Sequence, residues 1–314
     1  METKELTQKE EWLEDRKTGI GGSDIGTILG LNSKKSPYQL WEEKTGKTDG
    51  SVDNNFTRAG IKLEPMVADW FAETTGLPLS NPGQNITRHK DFDFVLGTPD
   101  RITFDSTTNK AGILEIKTTG KIIDPEQIPL MWFCQVIWYA GIKKSWNDQE
   151  GYDYNHIAWW ERLTCAFNFI PITFDQEFSK YLIEKADEFW SKYVLADTPP
   201  PPTNLKDLQI LYARHQPGKS IIATDELQKS IAELKTISEA IKAAKDQEAI
   251  AKLKIQMIMG DCESVINEDG IPLVTWKSAK DSLEFDTERF KAEHPELFRS
   301  FQIPKAGSRR FLVK

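Results

Sequence analysis

Gly97-Thr98-Pro99-Asp100-Arg101 and, about fifteen residues on, Gly112-Ile113-Leu114-Glu115-Ile116-Lys117-Thr118 decide the reading of this chain. The first stretch ends a turn on an aspartate. The second has the composition of a strand, in which successive side chains alternate between faces. Glu115 and Lys117 therefore share one face, and Ile116 points the other way, into the core. If the two stretches lie on neighbouring strands, two carboxylates and an ammonium meet. Oxygen ligands of this kind suit a hard cation such as Mg²⁺. That cation would polarise a scissile phosphate and lower the pKa of a water, which Lys117 would orient or deprotonate. The plainer alternative is a surface hairpin with a salt bridge. The apolar run Gly112–Leu114 with Ile116 speaks against it, because charges on such a strand must face a cleft or bear a desolvation cost.

Working outward, residues 86–89, 94–96 and 101–104 read as further short strands separated by turn residues. Asp124 and Pro125 open an apolar helix to about Tyr139, interrupted by Gln135. Strands at 156–160 and 163–170 follow, and Thr173 with Gln176 caps a long helix to about Leu195. Upstream, Thr7 and Glu10 fit a capping box for a helix through Arg16. A glycine turn, Gly19-Ile20-Gly21-Gly22, precedes Ser23-Asp24. Ser36-Pro37 starts another helix that Gly46 stops, and residues 63–75 form one more, ending at Gly76. Helices, sheet, helix, strands, helix is an α/β order. We expect a core over 1–196, a proline-rich spacer at 197–203 and a C-terminal extension over 204–314. In the extension, Leu227, Ile231, Leu234, Ile237 and Ile241, then Ile250, Leu253 and Met257, predict a helical hairpin or one long helix. Residues 273–276 look strand-like.

Composition excludes several classes. The chain has 314 residues, enough for a large core, and its 39% hydrophobic content is ordinary for a globular protein. Met1–Trp12 is too polar for a signal peptide, and Ile128–Ile142 is too short to cross a bilayer. A cytoplasmic protein with no membrane role is expected. The three cysteines lack metal spacing and read as buried free thiols. The histidines read as structural. A formal charge of −8 argues against non-specific DNA coating, though not against a nuclease whose cations and local basic strip meet the substrate.

The ordered set Arg16…Gly19-Ile20-Gly21-Gly22-Ser23-Asp24-Ile25, Ser36-Pro37-Tyr38-Gln39-Leu40-Trp41, Gly60…Leu63-Glu64-Pro65, Gly97-Thr98-Pro99-Asp100, Glu115-Ile116-Lys117 and Gln135-Val136…Tyr139 resembles the YqaJ-type viral recombinase family. That family stands with the lambda exonuclease group of PD-(D/E)xK nucleases. The resemblance implies a restriction-endonuclease-like α/β core, a mixed central sheet flanked by helices, with the C-terminal helical hairpin as an extension. It implies metal ligation by Asp100, Glu115 and the Ile116 carbonyl, with Lys117 as the catalytic lysine. Glu64 would bind metal through water or hold a ligand in place; a helix-start carboxylate is the alternative. Gln135 would sit at the active site, or be a satisfied interior amide. Arg16 and Ser23 would hold a DNA 5′-phosphate, with an arginine fork and a helix start suited to it, or simply build a turn.

The implied activity is a Mg²⁺-dependent phage or prophage exonuclease, with Mn²⁺ able to substitute. It would degrade the 5′-ended strand of linear duplex DNA for a single-strand annealing protein. A homo-oligomer, as a trimeric ring, is implied with it. A restriction-like or structure-specific endonuclease and a non-catalytic DNA-binding assembly protein remain the alternatives. For the extension, self-association and an intramolecular brace stay equally open.

Overall fold

The computed structural model describes residues 14–48, 54–83, 86–146, 152–304 and 307–313. The Thr7/Glu10 capping box lies outside them; residues 14–17 are helical. Two compact units divide at Leu211/Tyr212, downstream of the proline segment.

The first unit is a mixed α/β layer structure. Helices α1 (Gly22–Ile28), α2 (Pro37–Lys44) and α3 (Asn55–Thr75) precede strands β1 (Leu79–Ser80), β2 (Thr87–Arg88), β3 (Leu96–Gly97), β4 (Arg101–Asp105) and β5 (Lys110–Thr119). Then come α4 (Leu130–Trp146), β6 (Tyr154–Glu161), β7 (Ala166–Thr173), α5 (Gln176–Phe189) and α6 (Leu205–Leu211). Five strands form the central sheet in the order β1-β4-β5-β6-β7, while β2 and β3 make a separate pair. Only β5 and β6 run parallel within the central sheet, and α4 provides the crossover between them.

Each face of the sheet has its own core. On one side Ile113, Ile157 and Trp159 pack with α4 residues such as Ile137 and Trp138. On the other, Leu114, Ile116 and Ala158 meet Val67, Ala68 and Phe71 of α3. Ile116 thus enters a core, as the alternation requires, and Glu115 and Lys117 turn towards α4.

Several boundaries differ from the sequence reading. Helix α3 begins about two turns early, because the Asn54 side chain accepts from Phe56 N and Thr57 N, each at 2.9 Å. Pro65 lies inside it. The helix opened by Asp124-Pro125 is only a 3-10 turn, Pro125–Gln127; Pro129 separates it from α4. Asp175, rather than Thr173, caps α5, and a π-type turn, Trp190–Leu195, extends it. Cys134 is buried, but Cys165 and Cys262 are exposed, in the β6–β7 turn and just beyond a helix end.

In the second unit α7 (Asp225–Met259) is one continuous helix, so the hairpin expectation is corrected. No Gly or Pro interrupts those 35 residues. The polar break at 246–248 is helix-compatible, with Glu248 paired to Lys252 one turn on. Strands β8 (Ser264–Ile266) and β9 (Pro272–Thr275) form a small hairpin, followed by α8 (Thr287–Glu293) and α9 (Pro295–Ser300). No described helix is long and apolar enough to cross a membrane.

Candidate active site

The β4–β5 ladder pairs Arg101 with Leu114, which sets Asp100 opposite Glu115 just beyond it. Ile116 N donates to Asp100 Oδ2 at 2.7 Å, locking the carboxylate against the next strand. Glu115 is 1% exposed. Its Oε1 meets the Lys117 ammonium, whereas its Oε2 is buried with no hydrogen-bond partner among the described residues. Lys117 Nζ also donates to Gln135 Oε1 at 2.9 Å, and Gln135 Nε2 donates to the Tyr139 hydroxyl at 3.0 Å. A relay of polar contacts therefore runs from β5 to α4.

The electrostatics follow from that crowding. Burial and the neighbouring Glu115 push the Asp100 carboxyl well above the carboxylate range, with Lys117 only partly opposing them. Burial raises Glu115 too, against the pull of Lys117. For Lys117, burial favours loss of the proton, but Glu115 and Asp100 outweigh it and raise its pKa. The balance favours the ammonium form.

The sequence-derived residues converge on one cleft of ≈ 520 Å³, lined by Arg16, Ser23, Glu64, Asp100, Glu115, Ile116, Lys117 and Gln135 among others. Glu64 reaches it from α3, and its Oε1 accepts from Arg101 Nη1 at 2.6 Å. Arg16 Nη2 donates to Ser23 Oγ at 2.9 Å across the glycine turn. That turn lies against β3: a Cβ on Gly19 would sit 2.3 Å from the Phe94 carbonyl oxygen, so only glycine allows the approach.

Sequence reasoning assigned no role to Tyr139, Arg101, Asp24 or Lys44. Tyr139 lies in contact with the backbone at Gly22 and Gly97, since a Cβ on either would come within 2.6 Å of its ring. Its place in the Gln135…Tyr139 pattern was the available signal. Arg101 is buried and follows Asp100 directly, which marks it as a partner for an acidic group. Asp24 and Lys44 form a buried ion pair at 2.7 Å that sequence spacing does not reveal.

Among the described residues, no three His, Cys, Asp or Glu groups come together as a ready-made metal cage. The donor set nonetheless fits one hard cation. The buried Glu115 faces the half-buried Asp100, and Glu115 Oε2 has no hydrogen-bond partner among the described residues.

The comparisons with known proteins agree with this picture in part. Residues 11–144 match the model of the YqaJ-like viral recombinase domain. An uncharacterized protein YqaJ of Bacillus subtilis (strain 168) is 29% identical over 317 residues, spanning 98% of this chain and 94% of its own. An alkaline exonuclease from Laribacter hongkongensis aligns with TM-score 0.46 at 14% identity, over 60% of this chain and 94% of its own. A phage-related exonuclease from Haemophilus somnus 129PT gives TM-score 0.44 at 13% identity, over 57% and 95%. Likenesses this loose assign no chemistry to this chain. The sequence match is narrower and firmer: over residues 11–144 the chain is similar to the YqaJ-like viral recombinase domain.

Proposed function

We propose that the chain hydrolyses phosphodiester bonds of linear duplex DNA, degrading the 5′-ended strand with a divalent cation. One observation carries the reading: the orphaned Glu115 Oε2 buried beside a second carboxylate, Asp100. Buried carboxylates without compensation are costly, and a hard cation offsets both at once. Asp100, Glu115 and the Ile116 carbonyl would hold Mg²⁺ or Mn²⁺, with Glu64 acting through water. When bound, the cation polarises the phosphate and lowers the pKa of water at the site.

The remaining work falls to this chain's own side chains. Lys117 is favoured as the ammonium, so of its two sequence-derived roles the orienting and charge-stabilising one is supported. Gln135 fixes the Lys117 ammonium, and Tyr139 fixes Gln135. Arg16 and Ser23, on the same cleft, would contact the 5′-phosphate of a DNA end. The order Asp100…Glu115-Ile116-Lys117 across β4 and β5 supports a PD-(D/E)xK core. With it come a homo-oligomeric ring and delivery of the exposed strand to an annealing protein in the bacterial cytoplasm.

The test is degradation of a 5′-phosphorylated linear duplex with Mg²⁺, alongside a covalently closed circle. Loss of the linear form alone is expected. Cutting of the circle would instead indicate an endonuclease, and loss of neither a non-catalytic assembly protein. In the same assay Lys117→Ala should abolish turnover while end binding persists; near-normal turnover removes Lys117 from the mechanism.

A further inference from the structure

The Asp24–Lys44 pair is buried charge that the proposed chemistry leaves unused. The two side chains are 4% and 5% exposed. A buried ion pair is seldom better for stability than apolar groups of the same volume, so its retention calls for another cause. Its contacts indicate one. Lys44 Nζ lies 2.7 Å from Asp24 Oδ2 and donates to the Arg16 carbonyl oxygen, also at 2.7 Å. Asp24 Oδ2 accepts from Gly21 N at 3.0 Å, and Oδ1 stands 3.8 Å from the Arg16 guanidinium. The pair thus grips the backbone of Arg16, its side chain and the glycine turn that carries Ser23. Lys44 itself is fixed at the end of α2, which is anchored by its Ser36 cap and by buried Leu40 and Trp41.

We propose that Asp24 and Lys44 are positioning residues that aim Arg16 at the 5′-terminal phosphate of DNA, an inference that rests on the end-recognition reading above. Two physical effects combine. A long guanidinium side chain loses less freedom on binding when its root and its head are already held. Lys44 also compensates the charge of Asp24, so that Asp24 draws less on the Arg16 guanidinium 3.8 Å away.

The experiment measures kcat/KM on linear duplexes with 5′-phosphate and with 5′-hydroxyl ends, using the full chain. The set is wild type, Arg16→Ala, Lys44→Met and the double variant. Lys44→Met should reduce the preference for phosphorylated ends by about tenfold, the scale of one charge-assisted hydrogen bond. The loss should fall on KM for phosphorylated ends, with kcat at saturation retained. In the Arg16→Ala background Lys44→Met should change the preference no further. A second, additive loss there, or an intact preference in Lys44→Met alone, overturns the proposal. Asp24→Asn keeps an acceptor for Gly21 N–H but drops the charge; it should lose the preference too, and it carries the test if Lys44→Met does not fold. Collapse of both variants assigns the pair to the fold and overturns the proposal. A wild type indifferent to the 5′-phosphate removes the end-recognition reading itself, and the positioning role with it.

Discussion

At the scale of the residue, Asp100 shows how two carboxylates set side by side burden the protein that carries them. Its carboxyl is raised by burial and by Glu115, so in the cation-free protein the ionised form is disfavoured. Asp100→Asn keeps an acceptor for the Ile116 N–H and removes the charge conflict. We expect this variant to lose hydrolysis yet to raise cation-free stability near neutral pH by about 1–3 kcal/mol, the scale of an uncompensated buried polar group. Thermal unfolding in the presence of a chelator measures it. A variant less stable than wild type would mean that Lys117 and the backbone already neutralise Asp100.

At the scale of the element, α4 joins what the turn and the strand supply. Tyr139 wedges against Gly22 of α1 and Gly97 of β3, with no room for a methyl group at either. Gly22→Ala should destabilise the fold by about 1–3 kcal/mol through overpacking and lower turnover, because Tyr139 holds Gln135. Unchanged unfolding and turnover in that variant would show that the ring moves aside without consequence. This wedge also marks where the sequence stopped being legible. Period-two alternation gave β5 its two faces, and Gln135 showed as a polar interruption in an apolar helix. Ser36-Pro37 and Gly76 marked helix ends because capping chemistry is local. Pairs such as Arg101 with Glu64 or Lys44 with Asp24 join distant positions through tertiary packing, and no local pattern encodes them. Helix α7 failed in another way. A polar break at 246–248 in its apolar stripe looked like a turn, but with no breaker residue the backbone continued.

At the scale of the whole molecule, opposing titrations limit stability from both sides. Burial holds His89 and His156 below their ordinary value of 6.5, so they favour the neutral ring. Their contribution is complete above that value and is lost as the pH falls through the lowered ones. Asp100 and Glu115 are raised, so theirs is complete below the ordinary 3.8 and 4.5 and is lost as the pH rises through the raised values. Melting curves from about pH 4 to about pH 9 should therefore show Mg²⁺ raising Tm mainly on the alkaline side; an equal gain at both ends would place the cation elsewhere. The parallel pairing of β5 with β6 has a consequence for synthesis. A chain emerging from the ribosome has presented Asp100, Glu115, Lys117 and Gln135 before residues 154–161 appear, yet one edge of β5 stays unpaired until they do. Long-range strand pairing comes late because loop closure must come first. A nascent chain would thus pass through its most exposed stage with these four residues synthesised but the cleft that gathers them still unfinished.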